Sequence, residues 1–297
     1  MLDKAKSLDT ASRRKSFRKA VEERRAVLVP GAANALTARI IEDLGFEALY
    51  LTGAGFANTE LGIPDIGLVT MTEITEAAMR ISDICSLPLI ADIDTGFGNA
   101  LNVYRTVRTM ERAGAAALQI EDQVFPKKCG HFDGKGIIPI GEMVTKIHAA
   151  VDTRTDPDLL IIARTDARAV EGLTQALDRA EAMLEAGADM LFVEAPLSRE
   201  ELQQVAQLPA PQLVNIVFGG RTPMLPRSEL QKMGFSVVLY ANAALQATIQ
   251  AVGTMLEHLR DTGSLAEIES SLAGFAERQR IVGKEHFDAI EKAYAAG

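Results

Sequence analysis

Short apolar runs recur along the chain and alternate with stretches of helical spacing. Residues 26–31, 46–52, 87–92, 115–121, 159–164, 189–194, 212–215 and 236–240 each read as a buried strand bounded by turn residues. Helical spacing is found over 34–44, where Gly45 supplies the stop, then from about Thr72 and from about Asn99 to Ala113. It returns over 141–151 and from about Thr174 to Ala186. Strands separated by helices predict a parallel sheet with the helices outside it. Eight such units within roughly 240 residues suit a closed (β/α)8 TIM barrel better than an open doubly wound sheet. The stretch 9–25 also reads as a helix, and its Arg and Lys content predicts a solvated face, with an oligomer contact as the alternative. Residues 241–297 are predicted helical with a break near Thr262-Gly263. That is more than one barrel helix needs, so this region is expected to pack outside the barrel or on a neighbouring subunit. No repeat, low-complexity tract or linker interrupts the pattern. The expectation is one barrel domain over 1–297, with 241–297 as its helical C-terminal region.

The composition narrows the class. The chain has 297 residues, 47% of them hydrophobic, and a formal charge of -9. An acidic balance with no offsetting basic stripe argues against a nucleic-acid partner. No apolar run reaches the length of a membrane span. The N-terminus mixes charges and has no apolar signal core. Cys85 and Cys129 are the only cysteines. In a chain of this size they read as free thiols of a reducing cytoplasm.

The polar residues sit at strand ends: Thr52, Asp92 with Asp94, Glu121 with Asp122, Arg164 with Asp166, Glu194 and Asn215. A barrel gathers such ends on one face, where catalytic groups collect. Asp92 and Asp94 are two apart, so on an extended strand they project to the same side. With Glu121 and Glu194 they can surround one Mg2+ or Mn2+, which keeps waters and takes further ligands from substrate. The plainer alternative makes Asp94-Thr-Gly a turn and Asp92 a cap partner. After the fourth strand comes Lys127-Lys-Cys-Gly-His131. Lys128 and His131 beside Cys129 favour a thiolate or attract an anion, and Gly130 frees the loop to close over a ligand. Cys85 reads as a small buried hydrophobe. Zinc is not indicated, because no second cysteine or histidine stands at ligand spacing. Arg164 can clamp a substrate carboxylate in bidentate fashion, or form a structural ion pair in the barrel mouth. Gly53-Ala-Gly and Gly219-Gly-Arg-Thr-Pro223 can each offer backbone N–H groups to an anion, or simply turn. No phosphate-loop or dinucleotide fingerprint is found.

Four segments, Asp92-Ile-Asp-Thr-Gly-Phe-Gly98, Glu121-Asp-Gln, Lys127-Lys-Cys-Gly-His131 and Ala163-Arg-Thr-Asp-Ala167, resemble the isocitrate lyase/phosphoenolpyruvate mutase superfamily. The similarity runs from about Leu28 to Tyr240. Lys-Lys-Cys-Gly-His after Glu-Asp-Gln resembles the lyase branch, as opposed to the phosphonate mutases that lack this cysteine. The resemblance implies a (β/α)8 barrel whose last helix is swapped between subunits of a homotetramer, a dimer of dimers. It also implies Mg2+ or Mn2+ and a mobile gating loop carrying the cysteine. By resemblance, Asp94 is the direct metal ligand, with Asp92 and Glu121 holding its waters. Thr52, Gly53 and Ala54 meet the carboxylate of a 2-oxo acid, and Lys127, Lys128, Gly130 and Thr222 belong to the substrate side. Arg164 orients the substrate, while Glu194 and Asn215 line the other side. Cys129 is the general acid, supported by His131, and Tyr50 is a candidate for the side that deprotonates the hydroxyl.

The reaction so implied is a retro-aldol, Claisen-type cleavage of a 2-hydroxy dicarboxylate or tricarboxylate. The substrates are of the 2,3-dimethylmalate or 2-methylisocitrate type, and the products are pyruvate and a carboxylic acid. Asn215-Ile-Val-Phe-Gly-Gly-Arg-Thr-Pro223, Gln119 and Tyr240-Ala-Asn depart from the methylisocitrate lyase pattern and favour a smaller, alkyl-substituted malate. Oxaloacetate hydrolysis or decarboxylation and a carboxyphosphonoenolpyruvate mutase-type step are the alternatives on the same fold. A non-catalytic carboxylate-binding protein is the remote one, against which the full set of polar strand ends speaks.

Overall fold

The computed structural model describes residues 9–130 and 134–295. All eight predicted strands form, most of them shorter than their apolar runs: β1 Val27–Ala32, β2 Leu49–Leu51, β3 Leu89–Asp92, β4 Ala117–Glu121, β5 Leu160–Thr165, β6 Met190–Val193, β7 Leu213–Asn215 and β8 Val237–Tyr240. They pair in parallel in the order β6-β5-β4-β3-β2-β1-β8-β7. A parallel bridge between Leu191 and Gln212, with the Leu191 N–H donating to the Pro211 carbonyl at 3.0 Å, brings β6 to β7 and closes the barrel.

Period-two alternation explains why the strands are apolar on both sides. Val27, Val29, Tyr50, Ile90, Ile162, Phe192, Val237 and Leu239 fill the interior. The alternate set, including Leu49, Leu51, Leu118, Ile120, Ile161 and Leu191, packs under the surrounding helices. Helices Ala35–Asp43, Met71–Ile84, Ala100–Arg112, Ile140–Thr153 and Leu173–Glu185 match the predicted spacing. Met71–Ile84 begins with a reciprocal capping box between Thr70 and Glu73. Helices Arg199–Ala206 and Arg227–Met233 escaped the sequence reading. Each buries too few apolar side chains to set up a visible stripe: Leu202, Val205 and Ala206 in the first, Leu230 alone in the second.

Two local expectations are corrected. The charged N-terminal helix, Thr10–Glu22, is not merely a solvated face. Phe17 and Val21, each 1% exposed, join the interior cluster beside the first residues of β1, β4, β5, β6 and β8, and so plug the barrel base. Arg14 donates to the carbonyls of Glu111 (2.6 Å) and Ala115 (2.9 Å) and pairs with Asp156 at 2.9 Å. The Gly53-Ala-Gly-Phe segment is a short helix, Gly53–Phe56, and not a simple turn. Thr52 caps it, its hydroxyl accepting the Gly55 N–H at 3.0 Å, and a π-helical turn Ala57–Leu61 continues it.

After β8 the helix Ala243–Thr262 buries no residue. Its Ile249, Val252 and Leu256 are exposed. Helices Phe275–Ile281 and Lys284–Ala295 follow it, and Arg280 grips Asp43 through two contacts of 2.6 and 2.7 Å. No described helix is long and apolar enough to cross a membrane.

Candidate active site

Strand ends of the barrel converge as expected, but the two aspartates meet by a different route. Asp92 ends β3, whereas Asp94 has left-handed backbone, φ 46. The Asp94 N–H donates to Asp92 Oδ1 at 3.0 Å, an Asx turn that folds the chain back on itself. The turn, not strand periodicity, aims both carboxylates at Gly53. A Cβ on Gly53 would stand 3.2 Å from an oxygen of each. Asp92 also accepts the Gly53 N–H at 3.4 Å and the Gln119 amide at 3.3 Å.

Gln119 in turn accepts the Tyr50 hydroxyl at 2.7 Å. Burial, reinforced by the Asp92 charge, pushes the Tyr50 pKa well above the ordinary phenol value. The phenol therefore keeps its proton at neutral pH and enters as a donor. That does not fit the base suggested for it by resemblance.

Arg164 ends up shared among three carboxylates. Its Nε and Nη2 grip Asp166 at 2.9 and 3.1 Å, Nη1 stands 3.2 Å from Glu121 and Nη2 stands 3.4 Å from Glu194. The guanidinium also lies 5.2 Å from the ring centroid of Phe192. The bidentate fork expected for a substrate carboxylate is thus occupied by Asp166. Burial works against the ionised Asp166, but Arg164 and Lys135 outweigh it and hold its pKa below the usual carboxylate value. Lys127 stands 2.8 Å from Asp94 and 2.5 Å from Asp65, tying the Cys129 loop to the loop over 62–67.

This rim is short of positive charge. Lys127, Lys128, Lys135 and Arg164 face Asp65, Asp92, Asp94, Glu121, Asp166 and Glu194, four cations against six carboxylates. Burial raises the Asp94 pKa to about 6 and drives Glu121 well above the usual carboxylate value. Glu121 Oε1 is buried with no hydrogen-bond partner among the described residues. Oxygen donors with a charge deficit and an orphaned carboxylate oxygen fit a hard divalent cation. Among the described residues no three metal-binding side chains close on one point.

The Cys129 loop hangs from β4 by a narrow neck. Gln123 bridges to Ile137, the Val124 N–H donates to Gly136 O at 2.9 Å, and the Ile138 N–H donates to Asp122 O at 2.9 Å. Within the loop, the Gln123 amide holds both backbone groups of Lys128, at 2.8 and 3.0 Å. Asp122 braces the end of β5, accepting Thr165 Oγ1 at 2.7 Å, the Asp166 N–H at 2.9 Å and Arg179 Nε at 3.0 Å. The three residues of Glu-Asp-Gln thus act separately. Glu121 faces Arg164, Asp122 fixes β5 and Gln123 shapes the loop.

The loop is folded in over a cavity of about 40 Å³, lined by Tyr50, Thr52, Ala54, Asp65, Asp92, Lys127, Lys128, Cys129, Gly130, Arg164, Phe192, Glu194, Asn215, Val217, Leu239, Ala241 and Asn242. That is room for one or two waters and not for a dicarboxylate. Most of the predicted site residues meet here. Gly53, Asp94 and Glu121 adjoin through Asp92, Lys127 and Arg164. Thr222 is buried, but it is not among the lining residues and its hydroxyl finds no partner among the described residues. The residues before it, 219–221, form an exposed turn. His131 lies outside the described residues. Asp65, Lys135 and Phe192 went unnoticed in the sequence, since none ends a strand in a recognisable polar motif; Asn242 entered only through the Tyr240-Ala-Asn segment and not as a site residue.

The two thiols differ in kind. Cys85 is 3% exposed, and burial pushes its pKa up to about 11. Cys129 is partly exposed on the loop, and neither forms a disulfide. Alkylation requires the thiolate. Limiting iodoacetamide at pH 8 is therefore expected to label Cys129 and leave Cys85 unmodified, as read by peptide mass spectrometry. Equal labelling would contradict the geometry.

Comparison with known proteins agrees with this architecture. The family model described as phosphoenolpyruvate phosphomutase matches residues 17–260. The chain belongs to the phosphoenolpyruvate mutase/isocitrate lyase superfamily. Within that superfamily it is 44% identical over 282 residues to a 2,3-dimethylmalate lyase of Eubacterium barkeri, covering 95% of this chain and 98% of the relative. It is 43% identical over 273 residues to a 2-methylisocitrate lyase of Aeropyrum pernix, covering 92% and 88%. A crystal structure of a 2,3-dimethylmalate lyase superposes with a TM-score of 0.89 at 35% identity, covering 98% of this chain and 96% of the other. A phosphonopyruvate hydrolase crystallised with oxalate and Mg2+ superposes with a TM-score of 0.86 at 31% identity, covering 97% and 100%. This superfamily member is a carbon–carbon lyase of the dimethylmalate and methylisocitrate lyase type.

Proposed function

We propose that the enzyme cleaves a small 2-methylmalate-type acid bearing an alkyl group at C3, giving pyruvate and a carboxylic acid. One observation supports the substrate class: Phe192, Val217, Leu239 and Ala241 contribute apolar surface to the wall of the cavity that Cys129 also lines. An alkyl group gains roughly 0.8 kcal/mol per buried CH2 against such a wall. A third carboxylate would find Arg164 and Lys127 already engaged by the protein's own carboxylates, and Lys128 donating to Gly134 O.

In this reading Thr52, Gly53 and Ala54 meet the substrate carboxylate. The substrate hydroxyl faces Asp92, Asp94 and Glu121, and its proton is lost to that wall as the C2–C3 bond breaks. A divalent cation, Mg2+ or Mn2+, with Asp94 as direct ligand and Asp92 and Glu121 on its waters, supplies Lewis acidity to the hydroxyl and carboxylate when bound. Arg164 offsets the charge of the departing enediolate, while Glu194 and Asn215 line that side of the cavity; Asn215 Oδ1, buried with no protein partner among the described residues, is an acceptor for a protonated group of the ligand. Cys129 delivers its Sγ proton to the carbanionic C3, and His131 supports the thiol. The closed loop keeps water from that carbon. Tyr50 holds Gln119 against Asp92.

Pyruvate release coupled to lactate dehydrogenase tests the reading. With Mg2+, kcat/KM for 2,3-dimethylmalate is expected to exceed that for 2-methylisocitrate by at least about tenfold, the discrimination a mismatched polar group commonly causes. Preference for the tricarboxylate would overturn the substrate assignment. Chelation should abolish turnover and Mg2+ restore it; activity that survives chelation would remove the cation from the mechanism.

The helix Ala243–Thr262, with its uncovered Ile249, Val252 and Leu256, suits exchange between subunits of a dimer of dimers. Light scattering is expected to return the mass of four chains. Two cysteines without a disulfide suit a reducing, cytoplasmic setting.

A further inference from the structure

Lys135 has no part in the mechanism above, yet its side chain is 1% exposed. It adjoins Gly136, whose carbonyl accepts the Val124 N–H at 2.9 Å, so its backbone belongs to the anchored neck of the loop. Its ammonium reaches back across the loop. It donates to the carbonyl of Gly130 at the tip and to Asp166 Oδ1 at 2.6 Å. Asp166 is itself fixed to the barrel: it grips Arg164, and its N–H donates to Asp122 at 2.9 Å. One ammonium therefore joins the Gly130 carbonyl, the anchored neck of the loop and the partner of the central guanidinium.

Physical chemistry gives this arrangement a direction. A buried ammonium is stable only when its donors find acceptors. Swinging the tip outward removes the Gly130 carbonyl and leaves Lys135 one acceptor short, while closure restores it. Gly130 is bonded to Cys129, so a hold on its carbonyl is a hold on the thiol. The fit at the tip is close: a Cβ on Gly130 would come within 2.5 Å of Arg164 Nη2.

We propose that Lys135 is the latch of the Cys129 loop, a positioning residue whose ammonium, seated on Asp166, holds the Gly130 carbonyl and keeps the thiol over the cavity beside Arg164. Its effect on turnover rests on the reading of Cys129 as proton donor. Its effect on loop position does not, and the test separates the two.

Iodoacetamide labelling of Cys129 in Lys135→Met, with and without pyruvate plus Mg2+, reads loop position directly, and Cys85 serves as an internal gauge of folding. Cys129 is expected to label at least tenfold faster than in the wild type and to lose its protection by pyruvate, with Cys85 still unmodified. Lys135→Arg, which can donate to both acceptors, is expected to return labelling to within threefold of wild type. Wild-type labelling and protection in Lys135→Met would overturn the latch, whatever the effect on kcat. Should Cys85 open as well, the variant has not folded, and Lys135→Gln takes its place with the same two readings. Absence of lyase turnover in the wild type would count against the proposed reaction and leave the labelling result to decide the latch.

Discussion

Cys129→Ser is expected to lose about a thousandfold in kcat while still binding pyruvate. General acid catalysis by a positioned group contributes on the order of 10²–10⁴. A serine hydroxyl is a far weaker acid than a thiol, so it gives up its proton to a carbanion much less readily. The exchange replaces one atom and leaves the rest of the cavity, including Arg164, Glu194 and Asn215, in place. The loss therefore falls on the chemical step and not on ligand recognition. The chain contains no Trp, so pyruvate binding in the presence of Mg2+ is best read by calorimetry. Wild-type kcat in this variant would rule out Cys129 as the acid. Loss of pyruvate binding along with kcat would make the residue structural.

Gly130→Ala is expected to lower kcat by about a hundredfold with little change in thermal stability, since exclusion of the thiol from the closed site removes its catalytic share. The added methyl would lie 2.5 Å from Arg164 Nη2 and 2.8 and 2.9 Å from Glu194 Cγ and Cδ. Neither neighbour can retreat at low cost. Arg164 is held by Asp166 and Phe192, and Glu194 is 1% exposed. Gly130 does not have the left-handed backbone that would itself penalise alanine. The open loop accepts the methyl and the closed loop does not, so the barrel stays folded while the thiol is kept out. Gly141→Ala is the control: a Cβ there meets nothing within 4 Å, and kcat should not change. A Gly130→Ala enzyme with normal kcat would show that closure does not require this approach.

Much of the barrel was readable because its signals are local. Strand and helix reveal themselves in apolar spacing over five to fifteen residues, and each polar strand end stands directly after its apolar run. The charged N-terminal helix was misjudged although Phe17, Ala20 and Val21 hold helical spacing. Arg and Lys on the same turns masked that stripe, and Arg14 is buried through partners about a hundred residues away.

The sequence by itself determined which chemical groups stand at the strand ends and that a thiol rides on a glycine-containing loop beside them. Only the tertiary structure decided how those groups are shared. It set Arg164 on Asp166, Lys127 between Asp65 and Asp94, Lys135 under the Gly130 carbonyl, and Asp94 on the cavity side through a left-handed turn. The physical reason is distance. A charge takes whichever counter-charge lies within about 4 Å, and when the partners come from different βα units, closure of the barrel sets that separation.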